Sequence, residues 1–493
     1  MSDIDMSSQG ILSGRSYFDG VIIGVFGNTI SNLTIDGPGF IHESSEISFV
    51  NVTFSNLQID NSNGYQSTGG LVGEIRDITG PILFDTVTIE AGSSVIGQEY
   101  VGGFIGTASN WSEDTYDFQI LNSVNSATVE SLYYYTGGFM GYLEGSLHVT
   151  FRHLENHGTV LGDRAGGIAG EIYSSRYGSE NITFFEVQNT GDVIGGSASG
   201  ITSYISGTNV SIEAVSNEGT INGDSRANGI ISSLYSTNTE MFNVRNSGDV
   251  TSINYASGIA YYISGTNISM EAIGNKGTIS GGWMASGIVS EFSSTNNIEM
   301  FDIHNGGNVT ANQGIVSGVA GFVYTDHLVM VNVLNEGHVT NSDTHYESYS
   351  FTSGIVAYLV ATTFTGIALE NHGNIIVENT ENRAGGIIGF VDWSENFTLV
   401  DTLNTGSVMA NLSAGGIIGE MGSYSYGTAN IFHAVNSGNV NGYHVAGGII
   451  GSIYNYVTVT IRNSVNSGII SSVYGDSGPI YGYIDSSSTI TIL

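Results

Sequence analysis

A five-residue glycine block returns along this chain at a nearly constant interval, and this recurrence restricts the fold more than any other feature. Gly69-Gly70-Leu71-Val72-Gly73 comes back as Gly102-Gly103-Phe104-Ile105-Gly106, Gly137-Gly138-Phe139-Met140-Gly141 and Gly166-Gly167-Ile168-Ala169-Gly170. Looser copies built on Ser-Gly or Asn-Gly follow at Gly200, Gly229, Gly258, Gly287, Gly318 and Gly354. Full copies resume at Gly385-Gly386-Ile387-Ile388-Gly389, Gly415-Gly416-Ile417-Ile418-Gly419 and Gly447-Gly448-Ile449-Ile450-Gly451. From Gly70 to Gly478 the steps average about 31 residues and range from 29 to 36. A second mark, Asn-x-Gly-x-(Val/Ile), keeps the same beat at Asn156, Asn189, Asn217, Asn246, Asn275, Asn305, Asn335, Asn371, Asn404, Asn436 and Asn466, with a Gly-less copy at Asn125. A period of this size is the signature of stacked units, none of which buries its apolar face alone.

Each unit carries strand signals. Before the asparagine lies an alternating segment such as Val149-Thr150-Phe151-Arg152-His153-Leu154 or Ile182-Thr183-Phe184-Phe185-Glu186-Val187, rich in β-branched and aromatic residues at period two. The Asn-x-Gly then reads as a turn, where both residues accept positive φ cheaply. A short second strand follows, as in Gly191-Asp192-Val193-Ile194-Gly195, and the Gly-Gly-Ile segment reads as the third. Glycine at this density opposes helix. Three strands per turn of about 31 residues predict an all-β, parallel β-helix (solenoid) of roughly 14 or more coils. The recurring asparagine then forms an internal ladder, each amide bonding its copy in the next coil. A pair of β-propellers is the rival, but a blade needs about 40 residues and four strands. Residues 1–65 read as divergent first coils, continuous with the regular repeat over 66–493.

Composition excludes several functions. The chain of 493 residues has 10 Lys and Arg against 45 Asp and Glu, a formal charge of −35. Phosphate neutralisation needs basic side chains, so nucleic acid is not an expected partner, nor is an anionic membrane surface. No cysteine is present, which removes disulfides, thiol nucleophiles and thiolate metal sites. Every hydrophobic stretch is broken before it reaches the length of a membrane helix. The opening segment, Met1 to Gly10, is polar and acidic and lacks the pattern of a signal peptide.

At its Gly-Gly-(Leu/Ile/Phe)-(Val/Ile)-Gly blocks, residues 66–493 resemble the Gly-Leu-(Val/Ile)-Gly repeats, often called GLUG motifs, of microbial and protist surface proteins. The first coils look like β-helix sequences of adhesin type. The resemblance implies an exported, extended surface protein, an adhesin or a fibre element. The middle copies, with Ser-Gly-Ile for Gly-Gly-Ile, depart from the pattern.

Parallel β-helices also house pectin-degrading enzymes. The Asn-Thr-Asp and Asp-Asp pairs that serve acid/base hydrolysis are absent here, as are nonapeptide Ca²⁺ repeats, serine elbows, phosphate-binding loops and His-Glu-x-x-His. Among histidines, His148, His153 and His157 cluster, but the odd separation of the first two predicts opposite faces of a strand. His157 and His372 sit mid-turn and point outward. The expectation is no catalysis, no cofactor and no metal.

Aromatics recur beyond the glycine block. Four residues after its second glycine stand Tyr142, Tyr204, Tyr262, Phe322, Tyr358 and Phe390; six after it stand Tyr173, Tyr235, Tyr324 and Tyr454. Both offsets are even and share one face. That face is either an aromatic stack stabilising the solenoid or an exposed ridge for sugar rings or another rod. Asn-x-Ser/Thr sequons are frequent, and Asn110, Asn209 and Asn267 read as loop positions and candidate glycosylation sites. The chain finishes on the alternating Ser486 to Leu493 and opens with Gly10-Ile11-Leu12 and Val21-Ile22-Ile23, without an amphipathic cap; this predicts subunits stacking end to end. The sequence thus points first to a non-catalytic structural protein of an extracellular filament or cell-surface appendage. A carbohydrate-binding adhesin comes second and a polysaccharide lyase or hydrolase third.

Overall fold

The computed structural model describes residues 3–7, 17–64, 67–112, 114–173, 181–342, 350–378, 382–422 and 427–493. The segment Gly10-Ile11-Leu12 lies outside them. Among the described residues there is no helix, and all strand pairing is parallel. The protein is a parallel β-solenoid of about 14 turns, roughly 31 residues apart. Its contacts divide it into two compact units, Met1–Glu240 with Val244–Asp249, and Met241–Asn243 with Val250–Leu493. Each unit contains two parallel sheets.

A turn of the second unit shows the plan. The long strand Val289–Asn305 belongs to one sheet, and the short strands Val309–Ala311 and Ile315–Ser317 belong to the other. Gly318 and Val319 then make a corner, and the next long strand, Ala320–Asn335, begins. The glycine block expected to be a strand is therefore a corner. Its first residues close a short strand and its last open a long one. Glycine is required there by close approach. A Cβ on Gly138 would lie 2.6 Å from Asn156 Oδ1, and one on Gly167 would lie 2.6 Å from Asn189 Cγ. Each would also strike a backbone carbonyl of the next turn. The glycine and asparagine marks share one period because they are two sides of one contact.

The asparagines are stacked, and all but the half-exposed Asn466 are buried. In the first unit Asn125, Asn156, Asn189, Asn217 and Asn246 form a series. Each Nδ2 of the first four donates to the Oδ1 of the next, at 2.9, 2.8, 2.8 and 2.8 Å. In the second unit Asn275, Asn305, Asn335, Asn371, Asn404, Asn436 and Asn466 repeat this at 2.7–2.8 Å. Each Nδ2 also donates to the carbonyl two residues on, as Asn335 does to Gly337 at 2.8 Å. Every amide points the same way, so the bonds polarise one another along the series. Nearer the N-terminus the same column is apolar: Ile30, Phe54 and Ile89 precede Asn125 in register. The glycine corner is thus established at Gly70, whereas the asparagine ladder starts at Asn125.

The positive φ expected at Asn-x-Gly lies elsewhere. It falls three residues before the ladder, on Asn122, His153, Glu186 and Ala214 in the first unit and on Ala272, Asp302, Asn332, Ala368, Asp401, His433 and Asn463 in the second, at 49–57°. This conformation costs about 1–2 kcal/mol for a residue with a Cβ. It shifts the alternation by one residue. In Asn181–Asn189 the buried positions are Ile182, Phe184, Val187 and Asn189, spaced two, three and two. The shift also corrects the histidine expectation: His148 and His153, an odd number apart, both remain partly exposed because His153 is itself the bend.

The core is filled by Ile, Val, Leu and stacked phenylalanines, including Phe118, Phe151 and Phe184, with neighbouring centroids 6.3 and 5.0 Å apart. Asn335→Ala should disrupt more than its own contacts. It leaves Asn305 Nδ2 without its Asn335 acceptor and Asn371 Oδ1 without its Asn335 donor, and a buried unsatisfied polar group costs about 1–3 kcal/mol. The expected result is faster hydrogen exchange at residues 305, 337 and 371, with the ladder of the first unit unchanged; uniform protection throughout would contradict the ladder's role.

Candidate functional site

The outward-facing position four residues after the corner glycine forms one column in each unit. In the first unit it reads Glu74, Thr107, Tyr142, Glu171, Tyr204. In the second it reads Tyr262, Glu291, Phe322, Tyr358, Phe390, Glu420, Ser452, Tyr483. The six predicted aromatics occupy this column, but not as one continuous ridge. Glu171 separates Tyr142 from Tyr204, and Glu291 separates Tyr262 from Phe322. Direct ring contact within the column joins Phe322 to Tyr358 at 4.9 Å and Tyr358 to Phe390 at 5.4 Å. From the second offset, Tyr173 and Tyr235 flank Tyr204 at 6.4 and 5.4 Å, Tyr454 packs on Tyr483 at 5.2 Å, and Tyr324 is exposed.

The carboxylates that break the column make the site. In the second unit a cleft of about 640 Å³ opens between Phe351, Tyr358, Arg383, Phe390, Asp392, Leu412, Glu420 and Tyr454. Arg383 stands two residues before the corner at Gly385, on the strand Asn382–Gly385, whose register partner is Ser350–Ser353. Its guanidinium lies 5.7 Å over the Phe351 ring and 5.4 Å over Phe390, rings that are themselves stacked at 5.1 Å. Its Nε approaches Glu420 Oε1 at 2.8 Å, with side-chain exposures of only 14% and 9%. The Tyr358 hydroxyl donates to Asp392 Oδ2 at 2.6 Å. Burial pushes the Glu420 carboxyl above the ordinary glutamate range, against the opposing pull of Arg383. Burial, then the Glu420 charge, pushes the Tyr454 hydroxyl up as well.

The first unit repeats the constellation in a more open form. Arg164 holds the same place before its corner, in Arg164-Ala165-Gly166-Gly167 against Arg383-Ala384-Gly385-Gly386. Its guanidinium lies 5.2 Å over Tyr135, donates to the Tyr135 hydroxyl at 3.1 Å and approaches Glu171 Oε2 at 3.3 Å, but its side chain is 51% exposed. Tyr100, Tyr135 and Tyr142 pack at 5.3–5.6 Å, and the Tyr142 hydroxyl donates to Glu144 at 2.9 Å. Burial pushes the Tyr135 hydroxyl up to about 12.

The three candidate glycosylation sites are on strands, not loops. Asn110 ends the strand Ile105–Asn110 fully buried. Its Nδ2 donates to the carbonyls of Asp114 and Ser146, both at 2.8 Å, and its Oδ1 accepts from the Ser112 hydroxyl; this leaves no room for a glycan. Asn209 donates to Asn181 at 3.0 Å and accepts from Asn238 at 2.9 Å, and Asn267 accepts from Asn296 at 3.0 Å. They belong to a second, outer row of amides. His157 and His372 occupy equivalent turns, each bonded to a threonine of the next turn, Thr190 at 2.7 Å and Thr405 at 2.8 Å. Among the described residues no group of three His, Asp or Glu could hold a metal ion. Comparison with known proteins gives no match to a family profile, to a curated protein or to a solved structure.

Glu420 sets a sign for pH dependence. Its raised pKa means that the folded chain holds this proton more tightly than the unfolded chain. Its contribution to stability is therefore complete below the ordinary value near 4.5 and is lost as pH rises through the raised one. Melting of the second unit between pH 4 and pH 7 should show a smaller loss of stability for Glu420→Gln than for the wild type. A larger loss in the variant would contradict the assignment.

Proposed function

We propose that this chain is a non-catalytic, surface-displayed β-solenoid that binds carbohydrate through the cleft around Phe390. One observation carries the reading: ring faces and hydrogen-bonding carboxylates converge in a single concavity held on β-strands. Its volume suits a small-molecule or oligosaccharide site. The rings of Phe390 and Tyr454 suit the C–H faces of pyranoses, and Asp392 supplies acceptors for hydroxyls. Placement outside the cell rests on the GLUG-type glycine blocks. The non-catalytic reading is supported by the sequence, which lacks the Asn-Thr-Asp and Asp-Asp pairs of acid/base hydrolysis. In affinity electrophoresis through gels containing polysaccharides, the wild type should be retarded by at least one of them, and Phe390→Ala should lower the affinity about tenfold while melting normally. Release of new reducing ends that disappears in Asp392→Asn would replace this reading with the hydrolase or lyase alternative.

A second reading, a filament subunit joined by lateral contacts, is favoured by a groove of about 450 Å³ in the second unit, lined in part by Met409, Asn441, Tyr443 and Val473. Tyr443 and Val473 are 41% and 64% exposed. Sedimentation velocity should then show assemblies that Val473→Asp disperses; a monomer at every concentration would exclude it.

A further inference from the structure

The charge arrangement of the cleft narrows its ligand class. Among the described residues Arg383 is the one cation lining the cleft, and its Nε and Nη1 are buried. Glu420 neutralises it at 2.8 Å, and the rings of Phe351 and Phe390 cover it at 5.7 and 5.4 Å. The carboxylate of Asp392 is left as the net charge, bonded to the neutral hydroxyl of Tyr358. An incoming carboxylate or sulfate would meet no cation but the Glu420-paired Arg383, would stand beside Asp392 and would lose its water; such a like-charge contact in a partly desolvated site is strongly unfavourable. Beyond the cleft the whole chain carries −35, which repels acidic polymers from a distance at low salt. Hydroxyls and ammonium groups, by contrast, find acceptors in Asp392 and the half-buried ring of Tyr454.

From this we infer that the cleft selects glycans free of carboxylate and sulfate, neutral or amino sugars, and that the Arg383–Glu420 pair sets this selection by holding its own positive charge out of reach. The inference rests on the carbohydrate-binding reading above and names its ligand class. A buried pair of this kind contributes little net stability, because desolvation offsets the attraction; a role in selection accounts for its position inside a ring-lined cleft.

The test is a panel of immobilised glycans in four classes, neutral hexose, amino-hexose, hexuronate and sulfated, probed with the intact chain, with Phe390→Ala and with Glu420→Gln. Wild-type binding should fall in the first two classes, at least tenfold above the acidic classes, and should be lost in Phe390→Ala. Glu420→Gln removes the negative charge paired with Arg383 and should gain about tenfold toward hexuronates, with its fold checked by circular dichroism. Phe390-dependent binding confined to acidic glycans would overturn the ligand class and leave the carbohydrate reading standing. Absence of Phe390-dependent binding in all four classes would overturn both. A folded Glu420→Gln without gain toward hexuronates would overturn the role of the ion pair. Should that variant not fold, the wild-type panel decides the ligand class by itself.

Discussion

A carboxamide buried in an apolar interior must find partners for two donors and a carbonyl, and in this molecule each turn hands that problem to the next. Asn335 accepts from Asn305, donates to Asn371 and donates again to the carbonyl of Gly337. The arrangement closes only when the neighbouring turn presents an identical group at the same height, about 4.8 Å away. It also closes only if the corner on the other side stays out of the amide's space, which is why a residue without a side chain stands there. Register along each unit follows from this requirement. A slip of one residue would pair an amide with an outward position and leave two buried polar groups without partners.

The outer column is free of that requirement and is where the chain varies. Its positions tolerate Tyr, Phe, Glu, Thr and Ser in succession. Strands hold each side chain at a fixed height, so a few choices in adjacent turns suffice to assemble a cavity. The second unit uses this by placing Arg383 on one sheet and Phe390, Glu420 and Tyr454 on the other side of the corner. The first unit uses the same arginine position with tyrosines and leaves the surface open.

Much of the fold was legible because the constraint is repeated. The period, the parallel stacking and the identity of the ladder residues can all be read from recurring Asn and Gly. The bend leaves only a faint trace, the 2-3-2 spacing of Ile182, Phe184, Val187 and Asn189. Its residues are Ala, Glu, His, Asp and Asn, and no residue type marks it. The glycine block reads as a strand in sequence, because its close approach is to a side chain 17 to 22 residues away, as Gly318 is to Asn335 and Gly103 to Asn125. The site was half legible. The aromatics at one offset mark Tyr358 and Phe390, and the same offset in other copies carries Glu74, Glu171, Glu291 and Glu420. Arg383 carried a signal as well, as one of two arginines placed directly before an Ala-Gly-Gly corner.

Successive ladder asparagines are separated by as few as 28 residues and as many as 36, yet they meet at nearly the same distance. Alignment is therefore settled by each pair of neighbours and not by counting along the backbone. A gene encoding such a chain can gain or lose one whole winding by unequal crossover and still yield a protein whose remaining windings fit. Length becomes a property that selection can adjust in single steps, while residues between the fixed points diverge to suit whatever the surface meets.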